Sequence, residues 1–189
     1  LAAEAVMLAY ATSGDLDQIA ANVGVTRLTI TPEDDTTTPP TAAVMEADPD
    51  LRARVQASPD GLSVAGPSGA YEFHARSADG RIADVSVVSP NPAYVTIYAL
   101  SSEGDGTADA DMIAAITAAV NADDVRPIAD RVTVESATIV DYSMAAKLHL
   151  TSGPASEPIL AAANAAALAL TQQKRRLDKD IALSAIYAA

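Results

Sequence analysis

Residues 69–88, GAYEFHARSADGRIADVSVV, gather the side chains best suited to proton transfer in this 189-residue chain. His74 is one of two histidines, and Glu72, Arg76, Asp79 and Arg81 lie within seven positions of it. An imidazole with a carboxylate to orient it is the minimal general-base pair, so a small acidic hydrolase built on His74 and Asp79 can be drawn. No serine, cysteine or metal-ligand partner accompanies the pair at a recognisable spacing, and imidazole titration alone defines no reaction. The competing reading is a helix end turning into a strand. On a helix, Tyr71, His74, Ala75 and Ala78 share one face, which is the pattern of a packing surface. Asp79 and Gly80 would then make the turn, with Gly80 in a left-handed conformation just past the helix, and Arg81 would pair locally.

The second cluster is EGDGTADAD at 103–111, with Glu103, Asp105, Asp109 and Asp111 close together between glycines. A calcium-dependent adhesion module is the chemistry it suggests. The spacing does not fit a D-x-[DN]-x-[DN]-G loop, and Asp109 and Asp111 fall where a helix N-terminus favours carboxylates without any ion. AGPSGAY lacks both phosphate-loop patterns and has no following lysine. His149, between Leu148 and Leu150, reads as one side chain of a strand. These motifs assign no catalytic, cofactor-binding or metal-ligating residue, and no cofactor is expected.

Composition narrows the classes further. The net charge is −13, a field that repels phosphate backbones and anionic lipid, so neither nucleic acid nor a membrane is an expected partner. The one basic run, KRRLDK at 174–179, is interrupted by Asp178 and reads as the solvated last turn of a helix. Cysteine is absent, which removes disulfides, thiolate metal sites and cysteine nucleophiles together. No apolar stretch reaches the ~18 residues that span a bilayer, so a soluble chain is expected. Alanine supplies 42 residues, against one Phe and no Trp. Such a core is thin and suits closely approaching helices or burial against other subunits.

The elements that must position these residues follow from periodicity and punctuation. Residues 1–11 have helical composition. Asp15 is expected to cap a helix over 16–23 closed by Gly24, and VTRLTIT at 25–31 alternates as a strand. PEDDTTTPPT at 32–41 reads as an exposed linker able to let a helical arm re-orient. A helix begins at Asp48 with Pro49 in its first turn, and another starts at Ser68. Strands are expected over 83–89 and 94–100, joined by PNPA, and a helix should bury Met112, Ile113, Ile116 and Val120 on one face. Period two returns over 131–150 with a break near Asp141. A long alanine-rich helix over about 157–177 has no charge between Ile159 and Leu170, so more than one of its faces should be covered. DIALSAIYAA reads as a short strand entering a cut-off helix, and the chain as a piece of a longer protein.

The fold class expected is α+β: a helical N-terminal portion, then small α/β sandwich modules with mixed or antiparallel sheets. The expected division is 1–65, a helical arm and linker; 66–137, a helix followed by ββαβ; and 138–189, a second βα module truncated at its C-terminal end.

GPSGAYEFHARSADGRIADVSVVSPNPAYVTIYAL, followed by EGDGTADADMIAAITAAVNADDVRPIADRVTV, resembles the baseplate J-like family of contractile phage tails. The matching positions are Gly69, Ala70, Tyr71, His74, Ser77, Ala78, Asp79 and Arg81, then Gly104 to Thr107, Asp124 to Pro127, and Asp130, with mild departures at Ile82 and Ile128. YATSGDLDQIAANVGVTRL and DLRARVQASPDGLSVAGP are similar to the family's helical region, and DIALSAIYAA to the start of its final module. The resemblance implies a structural wedge component of a baseplate, in a phage, a prophage or a tail-like particle, assembled in the bacterial cytoplasm and retained in the virion. Its implied partners are further copies of itself and other baseplate wedge proteins around the central hub. Rearrangement of that ring is linked to sheath contraction. No enzymatic activity and no small-molecule substrate is implied.

Overall fold

The computed structural model describes residues 6–147, 149 and 156–188. The chain forms two compact units, Leu1–Ala137 and Thr138–Ala189. The fold is α+β.

The first unit opens with a turn-rich stretch over residues 6–10 in place of the helix expected there. Helix α1, Ser13–Ala21, follows, and the turn after it closes at Gly24, whose φ of +72° is the left-handed geometry its position predicts. Asp15 sits in the first turn and does not cap the helix; the N-cap is Thr12, without a side-chain bond. Strand β1, Thr29–Thr31, is shorter than the sequence suggests and pairs antiparallel with β2, Val44–Met45. Between them, 32–41 is no linker. Asp34 and Thr41 exchange backbone bonds of 2.9 and 3.0 Å and close the stretch as a hairpin, because Thr36 N–H and hydroxyl donate to the Asp34 carboxylate and tighten the turn. Helix α2, Asp48–Ala57, has Pro49 in its first turn, as expected.

Helix α3, Ser68–Arg76, leads into the main sheet. Strand β3, Ile82–Asn91, runs antiparallel to β4, Tyr94–Ser101, through a turn in which Ala93 takes a φ of +64°. Helix α4, Ala110–Val120, crosses over to β5, Arg131–Ser136, which lies parallel to β4 and gives the order β3-β4-β5. Period two places Val95, Ile97 and Ala99 of β4 against α3 and α4, while Tyr71 and Ala75 of α3 and Met112, Ile116 and Val120 of α4 close the core from above. A second, smaller core joins Ala11, Leu16 and Ala20 to Val25, Leu51 and Val55. Phe73 packs on that second core although Tyr71 and Ala75 lie in the first, so α3 serves both.

In the second unit, α5, Ser156–Lys174, and α6, Leu183–Ala188, are the regular elements among the described residues. The strand expected after the Asp141 break does not form over 142–147, and Leu148 and Leu150 lie outside the described residues. His149 is exposed and outside any strand, a correction to its sequence reading. DIAL at 180–183 is likewise not a strand.

Candidate functional site

The charged residues from Glu72 to Arg81 run from the last turns of α3 to the start of β3, where they tie four elements together. Helix α3 stops at Arg76 because Ser77 takes over as C-cap, so glycine is not needed to end it. Gly80 has a different role from the one its position suggests. It is not left-handed; a Cβ there would stand 2.8 Å from the Thr29 carbonyl oxygen. The β1 backbone passes too closely for any side chain.

Asp79 and Arg81 do form the turn. The Arg81 N–H donates to Asp79 Oδ1 at 2.8 Å, and the guanidinium donates back to Oδ2 at 2.7 Å. The same guanidinium reaches beyond the local pair to Asp109 at 2.7 Å and approaches Glu103 at 3.7 Å. The Arg81 carbonyl accepts both the N–H and the hydroxyl of Ser102, each at 2.8 Å. One residue thereby clamps the start of β3 to the loop between β4 and α4.

His74 takes no part in that clamp. Its Nε2 donates to the Gly61 carbonyl at 3.1 Å, and its ring stands edge-on to Phe73, centroids 5.4 Å apart. Gly61 belongs to a 3-10 turn, Asp60–Leu62, and a Cβ on it would fall 2.2 Å from the Phe73 ring. The histidine therefore latches α3 to the turn after α2, while Asp79, its sequence-proposed partner, is engaged by Arg81.

Two further arginines complete the junction. Arg76 pairs with Asp84, binding the end of α3 to β3. Arg54 and Glu46 form a buried pair at 2.6 Å; Glu46 also accepts the Leu28 N–H, and Arg54 donates to the Thr26 carbonyl and to Ser77 Oγ. Each charge thus has partners beyond its counter-ion, the condition under which a buried pair is tolerated. Arg27 does similar work in the smaller core, bridging Asp17, Asp48 and the Glu46 carbonyl.

The electrostatics follow the geometry. Burial raises the Asp79 carboxyl, but the side-chain and backbone bonds from Arg81 outweigh it and hold the group below the usual carboxylate range. Asp109 is lowered chiefly by the Met112 N–H it accepts at 2.7 Å as N-cap of α4, and then by Arg81. Tyr71 is pushed well up by burial and by its 2.8 Å bond to Asp130. These shifts have structural causes throughout.

The acidic loop resolves the same way. Asp105 accepts the Thr107 N–H at 2.9 Å, Asp109 caps α4, and Gly104 and Gly106 occupy left-handed conformations that close the loop. Among the described residues no group of three or more His, Cys, Asp or Glu is placed to hold a metal ion. A cleft of about 100 Å³ between α2 and α3 is lined by Ala53, Arg54, Asp60, Glu72, Phe73 and Arg76. It falls short of the ~300 Å³ typical of small-molecule sites. No helix among the described residues is long and apolar enough to cross a membrane.

Sequence reading missed the Glu46–Arg54 pair, since neither residue lies in a motif. It matched Asp130 without assigning a role; the structure makes it the acceptor for the buried Tyr71 hydroxyl.

Two family models match the chain: a Baseplate J-like N-terminal domain over residues 2–34 and a Baseplate J-like central domain over residues 63–136. The second spans α3, the three-stranded sheet and α4. The chain is also 59% identical over 188 residues, 100% of its own length, to Baseplate protein J of Escherichia phage P2, and it spans 62% of that relative.

Proposed function

Because this chain belongs to the baseplate J-like family, we propose that it is a structural component of a contractile phage-tail baseplate wedge, built into the virion after assembly in the host cytoplasm, and not an enzyme. Its partners in this reading are copies of itself and other baseplate proteins arranged around the central hub. Residues 66–137 act as the central module, 1–65 as an arm fastened to it, and 138–189 as the beginning of a further module.

The observation that carries this reading is the use to which the charged residues are put. His74, Arg76, Asp79, Arg81 and Asp109 are engaged in bonds that join α3, β3, the β4–α4 loop and the turn after α2. A wedge component must carry load between several contact surfaces, and a junction cross-braced by ion pairs suits that task. The two enzyme-like or calcium-like readings draw on the same side chains, and no observation favours either.

Labelling assembled particles with an antibody to this chain tests the proposal. Label at the distal end of the sheath is expected under electron microscopy. Particles that stay unlabelled after denaturation, beside abundant free antigen, would remove the chain from the virion.

A further inference from the structure

The outer edge of β5 is built to receive a strand. Arg131 N–H donates to the Ala93 carbonyl and Ala137 N–H to the Ala99 carbonyl, and the register pairs Val95 with Val132 and Ile97 with Val134. In a parallel pair one residue in two directs both its backbone groups to the neighbour, so 131, 133, 135 and 137 face β4. The N–H and C=O of Val132, Val134 and Ser136 therefore point to the other side, where no strand lies among the described residues.

This edge lacks most of the devices that normally blunt one, and the charges it carries, Arg131 and Glu135, are of opposite sign. It has no proline, no lysine and no bulge, whereas the β3 edge carries Pro90 and two register shifts. Val132 and Val134 point into the core yet remain only partly buried. An added strand would give both the backbone groups and the valines a cover.

We propose that the occupant is β5 of a second copy, paired antiparallel about a two-fold axis at Val134, so that two three-stranded sheets become one. Ladder length selects this register: centred on Val134, all three outward-facing residues of each strand find outward-facing partners, whereas centring on Thr133 or Glu135 pairs only two of the three. Antiparallel hydrogen-bonded pairs require outward-facing residues on both strands, which Val134 with Val134 and Val132 with Ser136 satisfy. On the other face, Thr133 then stands opposite Glu135 of the second copy, and Arg131 lies diagonal to that Glu135, an opposite-charge cross-strand pair. Shifting the register by one residue sets outward groups against inward ones and forfeits the ladder.

The pairing deepens the proposed self-association by naming its surface, and it rests on strand geometry, so virion labelling and the following test can fail independently. The wild-type chain has no cysteine. Thr133→Cys and Glu135→Cys are prepared as separate variants of the full chain, then mixed under mild oxidation. In the proposed register the two thiols sit on Cα atoms about 4.5 Å apart, within disulfide range, while like variants place theirs about 8 Å apart. The mixture should give at least roughly ten-fold more cross-linked dimer than either variant alone. Adding Val134→Pro, which removes the central donor without touching a bond to β4, should abolish that dimer while circular dichroism shows the fold retained. No cross-link in the mixture, equal cross-linking in the single variants, or a cross-link that survives Val134→Pro would each overturn the proposal.

Discussion

Helices α4 and α5 are both alanine-rich and nearly uncharged, yet they end in opposite circumstances. In α4, Met112, Ile116 and Val120 fall four residues apart and are 0% exposed. In α5 no described side chain is buried, and Ile159, Leu160 and Leu168 stand open. The sequence reading expected more than one face of α5 to be covered, and the structure corrects it. What separates the two helices is the surface available to receive them. Helix α4 leaves β4 and returns to β5, so the sheet it needs lies next to it in sequence, and Asp109 fixes its entry. Among the described residues α6 is the regular element beside α5 in its unit, and the half-buried positions 163, 166, 167, 170, 171 and 174 trace one shallow stripe. Apolar composition thus marks a helix as needing cover without supplying it.

The sharpest test of that contrast is a matched pair of truncations. Ile116→Ala should cost about 3–4 kcal/mol, because the sheet cannot collapse into the void, whereas Leu168→Ala should stay within about 0.5 kcal/mol. Urea melts of the two variants measure the difference; equal losses would erase the distinction between the helices.

The buried pair ranks next. Arg54→Met leaves Glu46 buried without its counter-ion and should cost about 3 kcal/mol. The double variant with Glu46→Leu should recover much of that loss, and a failure to recover would locate the cost in packing instead.

Gly80→Ala forces the turn away from the Thr29 carbonyl and should cost about 2 kcal/mol, a close-approach penalty.

The smallest effect is on pH dependence. Asp79 and Asp109 are lowered in the fold, so they stabilise it above the unfolded carboxylate value of about 4, and that contribution drains away as pH falls further. Tyr71 has the opposite sign: raised in the fold, it stabilises below about pH 10, and the gain is lost as the unfolded phenol ionises above that. Melting curves across pH should therefore fall at both ends, the alkaline limb flattening in Tyr71→Phe.

Much of the first unit was legible because its signals are local. The Met112, Ile116, Val120 spacing, the alternation through β3 and β4, Pro49 and Gly24 each state their element within a few residues. The Asp79–Arg81 turn was legible for the same reason. What escaped are contacts across the chain: Arg81 with Asp109 at a separation of 28 residues, Tyr71 with Asp130 at 59, and the β1 carbonyl against Gly80. Residues 32–41 were misread because proline and threonine without apolar residues look the same in a linker and in a hairpin tip. The 142–147 alternation forms no strand, because period two marks which side chains share a face and says nothing of a partner.

The charged residues of 69–111 brace the fold, with Arg81 at the centre of that bracing. Hydrogen exchange on the full chain, wild type against Arg81→Ala, tests it most directly. Faster exchange is predicted together at the start of β3 and across the 101–113 loop into the first turn of α4, with α1 and α5 unchanged. Exchange altered only at 79–82, or nowhere, would contradict the bracing role and return these residues to the search for another purpose.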